Sequence, residues 1–116
     1  MTTLTIESEP RIERVDFDER HVIVALADGR LISIPLARFP RLAYGTAEER
    51  SVYECWMDGA VVTWPLLDEH IHVKTFLAGT PSQESAVSVA RWKEKLDDRR
   101  RQSSFAPWGQ ERPIPE

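Results

Sequence analysis

Val22-Ile23-Val24-Ala25-Leu26-Ala27-Asp28-Gly29-Arg30-Leu31-Ile32-Ser33-Ile34-Pro35 has the pattern of a β-hairpin. Its first half is rich in β-branched residues, which suit a pleated, half-buried surface better than a helical stripe. Asp28-Gly29 is the strongest turn signal in the chain. A type I′ hairpin turn needs φ > 0 at both central residues, and this pair supplies it at little cost. The run beyond the turn ends at Pro35, which has no N–H to give to a ladder. Toward the N-terminus, Ile12, Val15 and Phe17 predict one more strand, joined by the short polar link Asp18-Glu19-Arg20. The first third of the chain therefore reads as an antiparallel meander of three strands.

Strand character then disappears, and two short helices are expected between Pro35 and Arg50. Pro40 suits a first helical position and Gly45 a left-handed position just past a helix end. Thr46 to Glu49 has the spacing of a capping box. Val52 to Met57 and Ala60 to Trp64 predict a second hairpin about Asp58-Gly59, which Pro65 stops. His70 to Val73 offers a further short strand, and Lys74 to Gly79 a helical turn closed by its glycine. Thr80-Pro81-Ser82-Gln83 looks like the capped start of one long helix, with its apolar seam at Ala86, Val89, Trp92 and Leu96. Residues 1–10 read as a flexible leader and 102–116 as a polar tail unable to order itself without a partner. The fold class expected is α+β.

The 116 residues, 41% hydrophobic and 29% charged, are those of one ordinary globular domain, with no apolar run of membrane-spanning length. The first residues lack the basic start and apolar core of a signal peptide, so a cytoplasmic protein is expected. A formal charge of −4 argues against a surface that is basic throughout. Cys55 is the only cysteine, which excludes an internal disulfide and a thiol-rich metal site; it is expected as a small buried hydrophobe.

Asp28-Gly29-Arg30, Ile34-Pro35-Leu36, Phe39-Pro40-Arg41-Leu42, the helix at Thr46 to Arg50, and Trp64-Pro65 through Asp68-Glu69 to Gly79 together resemble the DUF2442 family over roughly residues 11–79. The resemblance implies a β-meander with short helices and a second hairpin. It also implies a bacterial setting in which some members are fused to helix-turn-helix domains and others are encoded beside DUF4160 proteins, hence a toxin–antitoxin or transcriptional context. At His70 and His72 the chain departs from the acidic or small residues usual in the family, and the helix from Pro81 onward lies outside the resemblance.

Four constellations carry candidate chemistry. Trp64-Pro65-Leu66-Leu67-Asp68-Glu69 runs an apolar stretch into paired acids, with Leu66 and Leu67 expected to turn inward. Its carboxylates are read first as turn caps or partners of arginines, and only second as acid–base or hard-cation groups. His70 and His72 fall on one face of a strand, so with Asp68 they form a candidate zinc triad; the bland reading is solvated edge histidines. Trp56, Trp64 and Trp92 are expected as core, whereas Phe105 and Trp108 lie in a polar tail and suit partner anchors. Arg91, Lys95, Arg99, Arg100 and Arg101 make the end of the long helix basic, which suits either phosphate contact or the helix dipole.

No phosphate-binding loop, dinucleotide fingerprint, nucleophile elbow or HExxH motif occurs. The function expected is a non-enzymatic binding or regulatory module that acts through protein–protein contacts, with a protein partner or a second copy and no cofactor. A nucleic-acid-associated regulator using the basic helix end and a small metal-dependent enzyme at Asp68, His70 and His72 are the alternatives.

Overall fold

The structure is a computed structural model that describes residues 10–105, with side chains through Gln102. The chain divides into two compact units, the first ending at Gln83 and the second beginning at Glu84.

The first unit is α+β. Strands β1 (Ile12–Phe17), β2 (His21–Leu26) and β3 (Leu31–Pro35) form one antiparallel sheet in that order. Val22, Val24 and Leu26 are buried along β2, with Val15 and Ile34 on the flanking strands. The register of β1 shifts between Ile12 and Arg14, where Glu13 makes a bulge. A single 3-10 turn (Leu36–Arg38) leads to α1 (Pro40–Tyr44) and α2 (Ala47–Ser51). Strands β4 (Glu54–Trp56), β5 (Val61–Trp64) and β6 (Glu69–His72) build a second antiparallel sheet, and α3 (Val73–Ala78) follows. The end of α3 is Gly79, in the left-handed conformation.

The Asp28-Gly29 hairpin forms, with a different turn from the one expected. Gly29 N–H donates to Leu26 O at 3.0 Å and Leu26 N–H to Arg30 O at 2.9 Å. Gly29 is left-handed (φ 97°) while Asp28 is not among the positive-φ residues. This is a type I turn closed by a glycine bulge, a three-residue loop in place of a two-residue one. Asp28 keeps its negative φ because its carboxylate accepts from the Arg30 N–H at 3.0 Å, locking the loop from the side chain.

Two glycines explain how the second sheet meets its surroundings. Gly59 O accepts from Ile12 N–H at 2.7 Å, and a Cβ at Gly59 would lie 2.9 Å from Ile12 O. The tip of the β4–β5 hairpin thus docks backbone to backbone on β1. Gly45 is not left-handed as expected: its φ is −66°. It is small because Leu67 lies against it, 2.7 Å from where a Cβ would be. Pro40 does occupy the first turn of α1, and the Thr46–Glu49 capping box is complete.

The core of this unit is centred on Trp64, Leu67, Phe39, Leu42, Val62 and Phe76, each at most 1% exposed. Trp64 joins the sheets. Its ring lies 6.1 Å from Phe17 of β1 and 6.5 Å from Tyr53, and its indole N–H donates to Arg50 O at 3.1 Å. Leu66, expected to point inward with Leu67, is 45% exposed. The β5–β6 loop ends with Asp68 left-handed (φ 52°), a four-residue turn that aims adjacent leucines in opposite directions.

The second unit is α4 (Ala86–Phe105). It starts later than Thr80, because Thr80 N–H still closes α3 on Thr75 O and Ser82 N–H is taken by Arg38 O. Ser85 is the cap instead, its hydroxyl accepting from Ser88 N–H at 3.1 Å. The leader at 1–9 and the tail from 106 on lie outside the described residues.

Candidate functional site

Several apolar side chains in and beside strand β4 are in water. Val52 is 43% exposed, Trp56 55% and Met57 74%. Cys55 is exposed as well. Both Cys55 and Trp56 were expected inside, and register explains the reversal. Cys55 pairs with Val62, which is fully buried, so Cys55 takes the core-facing side while Glu54 and Trp56 take the other. β4 ends its sheet, so even the core-facing side is only rim there. Partial burial raises the Cys55 thiol above its ordinary pKa, which keeps it protonated and weakly nucleophilic.

The loop following β4 is conformationally costly. Met57 (φ 55°) and Asp58 (φ 57°) are both left-handed, followed by Gly59 (φ 84°). Asp readily visits that region, but Met does so at a cost of about 1–2 kcal/mol. The Asp-Gly signal therefore marks the right hairpin with the wrong pair at its centre, since Met57 and Asp58 occupy the positions expected for Asp58 and Gly59.

Tyr53, directly before β4, turns the opposite way. Its hydroxyl accepts from Val15 N–H at 3.1 Å, which satisfies part of the outer edge of β1. With Phe17 it lines an open groove of about 710 Å³, whose lining also includes Asp16, Asp18 and Glu19. The cations beside it are committed. Arg14 Nε donates to Asp16 at 2.8 Å. Arg50 Nη1 donates to Leu42 O at 2.9 Å and Gly45 O at 2.6 Å, the carbonyl end of α1, and its guanidinium lies 5.4 Å from the Phe17 ring centre. Arg50 Nε is buried without a hydrogen-bond partner. Asp18 is held below the ordinary carboxylate range, first by the Arg20 N–H and then by His21, so it stays ionised.

The residues singled out in the sequence are found elsewhere. Asp68 lies beside Arg41, whose Nη1 donates to Asp68 O at 2.7 Å and reaches its carboxylate at 3.4 Å. His72 caps α3, its Nδ1 accepting from Lys74 N–H at 3.1 Å. His70 is exposed opposite Thr63 on β5. Among the described residues, no group of three or more His, Cys, Asp or Glu side chains is placed to hold a metal. On α4, Arg91, Lys95 and Arg99 are exposed, while Arg100 pairs with Asp97 at 3.5 Å and Arg101 with Asp98. Trp108 and the side chain of Phe105 lie outside the described residues. No helix among those residues is long and apolar enough to cross a membrane.

With that geometry in place, comparison with known proteins bears on the fold. The profile of the family described as "Protein of unknown function (DUF2442)" matches residues 12–82. The chain belongs to the DUF2442 family. Among solved structures, a protein of unknown function from Rhodospirillum rubrum ATCC 11170 is similar, at 23% identity and a TM-score of 0.58, over 66% of this chain and 95% of that one. An uncharacterized protein from Chromobacterium violaceum is similar at 21% identity and a TM-score of 0.56, over 76% of this chain and 80% of that one. These likenesses establish a shared fold. None of the curated proteins matches. The groove by Tyr53 was missed in the sequence because its walls come from β1, α2 and the residue before β4, and no local pattern links them.

Proposed function

We propose that this DUF2442 chain is a non-enzymatic binding module of the cytoplasm, working through protein–protein contacts in an antitoxin-like or regulatory role. Its partner adds an extended segment to β4. The observation that carries this reading is the combination, on one sheet edge, of a strand with one side unpaired among the described residues and of exposed Trp56 and Met57. An edge strand with apolar side chains is a template for another chain, and folded proteins ordinarily blunt it with charge, proline or a cover. Met57 holds its exposed place in a left-handed conformation, the kind of local cost that persists at functional surfaces. Trp and Met are also residue types enriched at the centres of interfaces.

Co-expression with the product of the adjacent gene tests the proposal. The two chains are expected to co-elute, and Trp56→Ser is expected to abolish co-elution while leaving the denaturation midpoint of the isolated chain unchanged. Elution of the wild-type chain as a lone monomer overturns it. A second reading, nucleic-acid contact, is favoured by the spacing of exposed Arg91, Lys95 and Arg99 four residues apart along α4. Binding of duplex DNA should then fall steeply with salt and vanish on their joint substitution by Ala; salt-independent binding excludes it.

A further inference from the structure

We infer that the groove beside Tyr53 is the specificity pocket of the β4 edge, and that it takes a lysine or arginine side chain from the extended partner segment. The inference rests on the reading of β4 as the partner's edge.

Continuity is the first argument. Tyr53 lines the groove and is followed directly by Glu54, the first residue of β4, so the groove adjoins the start of that strand. Charge is the second. Three residues with carboxylates, Asp16, Asp18 and Glu19, are among those that line the groove. Of the two arginines in the wall, Arg14 is tied to Asp16, and Arg50 is turned onto the Leu42 and Gly45 carbonyls and the Phe17 ring. What faces an incoming group is the second oxygen of Asp18, whose first holds the Arg20 and His21 N–H groups, and the Glu19 carboxylate, with the buried Arg50 Nε, which has no hydrogen-bond partner among the described residues, beside them in the lining.

Shape is the third argument. Tyr53 offers a ring in the lining suited to the methylene stem of a long cationic side chain, while the Phe17 ring already has the Arg50 guanidinium against it. A partner's acidic side chain would meet the carboxylates of the lining. A short apolar one would leave them facing it unanswered.

Panning a library of random short peptides displayed on phage against the full-length chain tests the inference. The selected peptides are expected to carry Lys or Arg within an alternating apolar stretch. Their binding should weaken about tenfold on Glu19→Gln and further on Glu19→Lys, as for one partly desolvated ion pair. Glu19 is exposed in the link between β1 and β2, outside the buried core, so these variants are expected to fold. Replacing the basic residue of a selected peptide by norleucine should produce the same loss, with no added effect of Glu19→Gln. Peptides that bind, lose affinity on Trp56→Ser, and are indifferent to both Glu19 variants overturn the pocket but leave the β4 reading standing. Failure to select any peptide, or peptides indifferent to Trp56→Ser, overturns both.

Discussion

Gly29 and Gly59 occupy the same kind of backbone conformation in two hairpins and should respond very differently to one methyl group. Both are left-handed, at φ 97° and 84°. A Cβ on Gly29 meets nothing within 4 Å, so Gly29→Ala should cost only the conformational penalty of about 1–2 kcal/mol. On Gly59 the same atom lies 2.9 Å from Ile12 O and 3.0 Å from Ile12 N. Relief there requires β1 and the hairpin tip to part, so Gly59→Ala should cost roughly 1–3 kcal/mol more, read as the difference in urea denaturation free energies. Equal losses would mean that the tip is not seated on β1. Met57 poses the opposite case. Met57→Asn relieves a left-handed residue without removing a buried contact, and should stabilise the chain by about 0.5–1 kcal/mol while weakening partner binding.

At the scale of elements, α2 shows how local signals position a distant site. Its capping box satisfies N–H groups at its start: Thr46 Oγ1 accepts from Glu49 N–H at 3.1 Å, and Glu49 accepts from Thr46 N–H at 2.9 Å. The same short helix carries Arg50, which ties it to the end of α1 and to Phe17. Thr46→Ala should therefore cost about 1 kcal/mol of stability and loosen the groove, seen as faster amide exchange at Arg50 and Ser51. The hairpins of the first sheet have a pH dependence of known sign. Asp18 and Asp28 are both held below their ordinary pKa, chiefly by the Arg20 and Arg30 N–H groups. Their contribution to stability is complete above the unfolded value of about 3.9 and is lost as pH falls through the lower folded values. Below about pH 4 the wild type should lose stability faster than the double variant Asp18→Asn/Asp28→Asn. Parallel curves would show that these loops do not prefer the charged carboxylate.

For the first unit as a whole, Trp64 is the residue on which both sheets depend. It belongs to β5, stacks near Phe17 of β1, and donates to Arg50 O. Trp64→Ala should cost about 3–5 kcal/mol, a large share of the roughly 5–15 kcal/mol that holds a domain of this size together. Fluorescence and circular dichroism should then report one early cooperative transition. Survival of the β1–β3 meander with β4–β6 lost would show that the sheets fold independently. The sequence marked Trp64 to Glu69 as an organising stretch, and in the structure it is one, with Asp68 tied to Arg41 in a structural turn.

Features that rest on chemistry acting over a few residues were legible in the chain: the β-branched runs that became β1–β3, the capping box of α2, Pro40 in the first turn of α1, and the glycine closing α3. Such signals work because a turn or cap is satisfied by its own neighbours. Tertiary structure decided everything that depends on which side of a strand faces a second layer. Trp56 looks as apolar as Trp64, yet one is 55% exposed and the other fully buried. Their fates were set by register and by β4 being the edge of its sheet, which no single segment encodes. Gly45 likewise reads as a helix stop but is small to admit Leu67, a contact made only when the chain folds back. The groove of Phe17, Arg50 and Tyr53 exists for the same reason: its walls are distant in sequence and become neighbours through packing around Trp64.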